Sequence, residues 1–185
     1  RFALPLYLLR QTGSPALFGA VGAAAFIPAV LCAPIGGVAA DRVNKRNVMV
    51  LLDFSTAGLI LLFTLLLGRA PLVPLAAVCL MLLYGAAGAY QPAVQASIPL
   101  LADPERLTSA NAVINMVDTL AALLGPVIGG ALFGAFGLRP ILWVGTVCFF
   151  LSAVMELFIH IPHSSRAAAG GVLSTVRRDL GESWR

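Results

Sequence analysis

Charge is what this chain has least of. Only 11% of its 185 residues are Asp, Glu, Lys or Arg, while 59% are hydrophobic and the mean hydropathy is +0.94. A soluble domain carries about 25% charged residues. At less than half that share, polar surface cannot cover a globule, so water is excluded as the solvent for most of the chain and a lipid bilayer is implied. Cysteine and histidine are also scarce, at three and two. Cys32, Cys79 and Cys148 stand far apart inside apolar runs, with no CxxC and no His partner, which excludes a disulfide framework or a zinc site and leaves them as small apolar fillers. No residue pattern calls for a cofactor. The formal net charge is +4, but the basic residues fall between apolar runs and form no stripe, which excludes a nucleic-acid partner.

What is abundant is long apolar sequence. A helix crossing the hydrocarbon core needs about 20 mainly apolar residues at 1.5 Å each. Five runs are long enough: 16–40 and 70–102 without charge, 47–68 with Asp53, 107–138 with Asp118, and 140–161 with Glu156. The stretch 2–9 is too short to cross and reads as the end of a helix whose start lies upstream. The connections RQTGSP, DRVNKR, GRAP, ADPER and FGLRP are hairpins between antiparallel helices, with no room for an extramembrane domain. The expectation is an all-α polytopic membrane bundle over 1–161: the end of helix 1 at 1–9, then helices at 15–40, 47–68, 72–98, 107–134 and 139–161. Residues 162–185 read as a cytoplasmic linker, SSRAAAGG followed by a charged surface helix.

Orientation follows from the basic residues. One side collects Arg42, Lys45, Arg46 and Arg106 with Arg166, Arg177, Arg178 and Arg185 of the tail; the other holds Arg10, Arg69 and Arg139. The positive-inside rule places loop 41–46 and the tail in the cytoplasm. Attraction to anionic lipid, about 1 kcal/mol per basic residue near the surface, accounts for Arg42, Lys45 and Arg46. It does not account for Asp41 or the glycines beside it.

Those remaining residues carry a resemblance. Gly37-x-x-x-Asp41-Arg42-x-x-Lys45-Arg46 resembles the signature loop joining the second and third helices of the major facilitator superfamily; Asn44 stands where the family usually has glycine. The resemblance implies a gating element, with Gly37 allowing close helix approach, Asp41 as a switched carboxylate, and Arg42, Lys45 and Arg46 as its counter-charges. Gly125-Pro126-Val127-Ile128-Gly129-Gly130 resembles the GPxxGG signature of the drug:proton antiporter branches. Gly125 and Gly129, four apart, permit close helix approach, and Pro126 removes a backbone donor and allows a bend. The arginine usual in the fourth helix of those branches has no counterpart, Met81 standing near its place. The wider pattern, ALPLYLLRQTGS, AYQPA, LADPERLTSANA and MELFIHIP, resembles the macrolide-efflux and siderophore-exporter branch. It implies the N-terminal six-helix half of a twelve-helix transporter in the bacterial inner membrane, with the C-terminal half outside this sequence. Pro34-Ile-Gly36-Gly37 and Pro126-Val-Ile-Gly129-Gly130, at opposite ends of helices 2 and 5, match the inverted repeat of such a half.

At 100° per residue, Asn111, Asn115, Asp118, Ala122, Gly125 and Gly129 fall within about 40° of one line on helix 5. Asp118 lies about 16 Å into that helix, near the midplane. An ionised Asp there costs about 2.5–3.5 kcal/mol on insertion scales, so it needs water, a partner or a proton. Two roles stand: a proton-coupling or cation-recognising carboxylate, or one hydrogen-bonded to a neighbouring helix. Tyr84, Gln91 and Gln95 line one side of helix 4 and suit an amphipathic ligand or plain interhelical hydrogen bonding. Asp53 is assigned to the charge network of the loop, and Glu156 to an i,i+4 pair with His160. The function expected is export of an amphipathic small molecule by alternating access, coupled to protons, with lysolipid or metal-ion export on the same scaffold as alternatives. A membrane-embedded enzyme would need a cluster of catalytic side chains, and the midplane offers one carboxylate with no nucleophile–base pair.

Overall fold

The computed structural model describes residues 2–101 and 103–159, excluding the side chains of 38–42 and 104. It is all-α: α1 (Ala3–Thr12), α2 (Pro15–Arg42), α3 (Lys45–Leu66), α4 (Leu72–Leu101), α5 (Leu107–Phe136) and α6 (Leu138–Phe158), with a 3-10 turn at Pro104–Arg106 before α5. Five of these, α2 to α6, are long and apolar enough to cross a membrane. In lipid every backbone N–H and C=O must be satisfied within the segment, and a helix does this while leaving its apolar side chains outward at no cost.

Turn chemistry sets the ends. α1 stops at Gly13, whose φ of 64° lets its N–H reach the Leu9 carbonyl. Ser14 Oγ then accepts from the Leu17 N–H, and Pro15 opens α2 where no backbone donor is needed. At the next turn Asn44 caps α3, its side chain accepting from the Arg46 N–H at 3.1 Å. The residue that departs from the family's usual glycine therefore has a local task, since a capping Asn stabilises a helix start by about 1 kcal/mol over Ala. α4 continues through Pro92 and Pro99 to Leu101. His160 and the tail 162–185 lie outside the described residues.

Packing divides the bundle into a dense part and an open part. α2 crosses α4 at backbone contact distance: a Cβ added to Gly36 would overlap the Ala89 backbone, and one on Gly88 the Ala29 backbone, while Gly85 faces Pro28 and Cys32. α3 packs between α4 and α6. The main apolar cluster sits toward the end of the bundle away from Lys45, where Leu8, Phe63 and Leu80 are fully buried, joined by Leu4, Leu138 and Leu142. α5 is exposed along most of its length; Phe133 is its one buried residue among those described. The Phe133 ring meets Tyr7 edge-on at 6.4 Å and has the Arg10 guanidinium 6.0 Å from its centroid, so α1 anchors that end of α5.

Candidate functional site

The sequence points to helix 5, and α5 carries its polar residues in the open. Asn111, Asn115 and Asp118 are all exposed. Asn111 Nδ2 donates to the Leu107 carbonyl on its own helix at 2.9 Å, and Thr119 Oγ1 to the Asn115 carbonyl at 2.7 Å. On α4, Gln91 and Gln95 are exposed and Tyr84 is half-buried, its ring edge-on to Phe26 with centroids 4.9 Å apart. These groups do not converge on one closed pocket. They line open helix faces, where a molecule or a further protein surface can meet them.

The small-residue motifs divide in the same way. A Cβ on Gly125 would meet nothing within 4 Å, and those on Gly129 and Gly130 would reach only the Phe2 ring at 3.9 Å. Gly37, read as the point of close helix approach, is likewise open, and it is Gly36 that touches α4. In the loop, Lys45 and Arg46 form the first turn of α3, half-buried, and Arg46 Nε is buried with no hydrogen-bond partner. The side chains of Asp41 and Arg42 lie outside those described.

A polar cluster that the sequence does not announce lies at the end of the bundle near Lys45. Tyr90 of α4 donates its hydroxyl hydrogen to Glu156 Oε1 of α6 at 2.7 Å. Glu156 is 5% exposed, and its second oxygen, Oε2, is buried without a partner. Asp53 of α3 is equally buried and lines, with Thr56, Ala86, Tyr90, Phe149 and Ser152, a cavity of about 170 Å³ between the three helices. That volume and lining admit several water molecules, each needing 2–4 polar partners. Asp53 therefore sits in a three-helix pocket as well as below the loop, and Glu156 turns to Tyr90. Tyr90 and Glu156 are 66 residues apart, so no spacing along one helix pairs them. The signal that could have found them is depth: Asp53 and Glu156 interrupt two apolar runs at the same end of the bundle, and a buried acid there requires a donor from a facing helix. Among the described residues no group of three or more His, Cys, Asp and Glu is placed to hold a metal ion.

The sequence matches the Major Facilitator Superfamily over residues 1–180. Macrolide efflux protein A of Streptococcus pyogenes is 23% identical over 164 residues, covering 88% of this chain and 40% of that protein. A lysophospholipid transporter of Photorhabdus laumondii is 33% identical over 153 residues, or 82% of this chain and 33% of that protein. A multidrug resistance protein of Salmonella paratyphi C is 29% identical over 160 residues, 84% of this chain and 38% of that one. The chain thus spans between 33% and 40% of the length of these three relatives. No solved structure matches. With the signature loop, the five membrane-length helices and a match over nearly its whole length, this chain belongs to the major facilitator superfamily.

Proposed function

We propose that the chain is the N-terminal half of a twelve-helix secondary transporter that exports an amphipathic small molecule by alternating access, driven by inward proton flow. The observation that carries this reading is the α5 stripe: Asn111, Asn115 and Asp118 exposed on a helix that is mainly apolar. Lipid would penalise that stripe, whereas a water-filled path between two halves would not. The same face continues into Gly125 and Gly129, where a second half can approach closely. Gly130 and Pro126 adjust the same region of the helix. The relatives' names fit an amphipathic substrate: a macrolide and a lysophospholipid both join polar and apolar parts. Tyr84, Gln91 and Gln95 of α4 supply the aromatic and amide contacts such a molecule uses.

In this reading the end of the bundle bearing Lys45 and Arg46 faces the cytoplasm of a bacterial inner membrane. Asp41 latches the α2–α3 hairpin against the second half, with Arg42, Lys45 and Arg46 as counter-charges and Gly37 free to receive a partner helix. The family, together with the lack of a metal-ligand cluster among the described residues, favours a transporter over an enzyme. Lysolipid export is the second reading, favoured by the 33% identity to a lysophospholipid transporter.

The test uses everted vesicles containing the full-length protein. A fluorescent amphipathic cation is followed under an inward-acid gradient, comparing wild type with Asp118→Asn. Wild type accumulates the dye until a protonophore collapses the gradient, and the variant loses gradient dependence. Equal, gradient-driven uptake by both would remove Asp118 from coupling, and no uptake by wild type would remove the export of amphipathic cations.

A further inference from the structure

The face of α4 between its contacts with α2 and α3 has no part in the function proposed above. α2 and α3 both pack on α4 but scarcely on each other, which leaves a groove between them. Its floor is Gly85, Ala86 and Ala89 of α4, and its walls are Cys32 of α2 with Leu52 and Leu59 of α3. Ser55, also on the α3 wall, donates its hydroxyl hydrogen to the Leu51 carbonyl at 2.6 Å, and Thr56 is shared with the Asp53 cavity. The groove is thus mainly apolar, has a volume of about 340 Å³, and lies among three helices of membrane-spanning length.

Width, depth and charge decide what fits it. Leu52 to Leu59 is about 10 Å of helix rise. A volume of 340 Å³ over that length is a slot on the order of 6 Å across, whereas a helix with its side chains is about 10–12 Å thick. A further helix is too wide to enter, and a single polymethylene chain is not. Left empty, the walls would lose their dispersion contacts on one side. At 100° per residue, Lys45, Val48, Leu52 and Leu59 fall within about 40° of one line on α3. Lys45 is half-buried in the first turn, where the helix dipole adds positive potential. It stands about 10 Å above Leu52 and about 21 Å above Leu59. Half the hydrocarbon core is about 15 Å deep. With Lys45 in the headgroup layer, the groove therefore ends near the midplane. A cation above an apolar slot is the complement of one anionic headgroup above one acyl chain.

We propose that this groove holds one acyl chain of an anionic phospholipid from the leaflet on the Lys45 side, with the lipid phosphate on the Lys45 ammonium. The phosphate accepts a charge-assisted hydrogen bond from Nζ. Below it the chain lies against the small floor residues Gly85, Ala86 and Ala89, close to the α4 backbone, and fills the gap between α2 and α3. The lipid is a resident of the bundle and not the transported molecule. It braces the two helices joined by the signature loop where they do not touch each other. The site requires only that α2, α3 and α4 cross a bilayer, so it stands whether or not the protein exports anything.

The experiment places the full-length protein in phosphatidylcholine nanodiscs containing a little phosphatidylglycerol with a diazirine on one acyl chain. After photolysis, mass spectrometry maps the adducts, and phosphatidylcholine bearing the same diazirine chain serves as the comparison. The readout needs no transport, so its outcome is separate from that of the dye assay. Adducts are expected on segments 52–59 and 82–89, with a yield about fivefold higher from phosphatidylglycerol, the weight of one basic residue near anionic headgroups. Lys45→Gln removes that preference and Lys45→Arg keeps it. Ser55→Trp, at an exposed position on the groove wall, fills the slot and lowers groove adducts from both lipids. Adducts at the exposed Val144 and Leu151 of α6 stay unchanged. Should Ser55→Trp fail to fold, the Lys45 pair still decides the matter. Equal groove yields from the two lipids, or a preference that survives Lys45→Gln, overturn the proposal. So does a groove without adducts, which would mean that another part of the full-length protein covers it.

Discussion

The α2–α4 crossing and helix α5 are built from the same material and behave differently. Both carry glycines at spacings that let helices approach: Gly85 and Gly88 on α4 with Gly36 on α2, and Gly125, Gly129 and Gly130 on α5. At the crossing the space is filled by backbone, Ala89 against Gly36 and Ala29 against Gly88. On α5 it is empty or touched only by the Phe2 ring. A small-residue motif therefore encodes a capacity for contact, and the rest of the chain decides whether the contact is made within it. On the reading proposed above, the open motif beside the polar stripe is the side that a second half meets.

One methyl group tests this contrast, with opposite signs expected. Gly88→Ala places a Cβ into the Ala29 backbone, so α2 and α4 must separate, at a cost of about 1–3 kcal/mol. The melting temperature of the detergent-purified protein falls accordingly. Gly125→Ala adds the same methyl where nothing is near and gains helix propensity of about 0.8–1.0 kcal/mol in the soluble-helix limit, so its melting temperature holds or rises. If both substitutions destabilise alike, α5 is packed in a way that erases the contrast. A smaller effect lies in the α2–α3 turn: Asn44→Ala costs about 1 kcal/mol, whereas Asn44→Gly, the residue usual in the resembled loop, costs a few tenths. Least of all for stability, the native thiols should label in order of exposure by a small maleimide in detergent, Cys148 before Cys32 and Cys32 before Cys79. Early labelling of Cys79 would mean that the α3–α4 core is loose.

The architecture was legible because lipid leaves the chain few options. Apolar runs of spanning length separated by short charged turns permit only a helical bundle, and the all-α fold with five membrane-length helices follows from that pattern. The polar stripe on α5 was legible too, since Asn111, Asn115 and Asp118 are related by helical periodicity within one element. What escaped were relations between elements. Gly36 meets α4, and Gly37, turned about 100° from it, is open on another face, a division that the motif's spacing alone does not reveal. The expected i,i+4 pair of Glu156 with His160 lies outside the described residues, whereas the Tyr90 hydroxyl that Glu156 accepts comes from another helix. Local rules rank neighbours along one helix and are silent on what a facing helix brings. Asn44 is the reverse case. A departure from the family pattern becomes intelligible once its side chain is seen capping α3.

The central claim is that the polar stripe of α5 faces water while its opposite face meets lipid. In the chain alone both faces are exposed: Met116 and Val127, on the far side, are 56% and 67% accessible. The most direct measurement places single cysteines, in a background without the native three, at Asn111, Asn115, Asp118 and Ala122, and at Met116, Leu120, Leu123 and Val127. The full-length protein in native membranes is then treated with a membrane-impermeant thiol reagent. The account predicts that the first set reacts, the second does not, and an amphipathic substrate protects the first. Equal silence on both faces would mean that α5 is surrounded by lipid and lines no path.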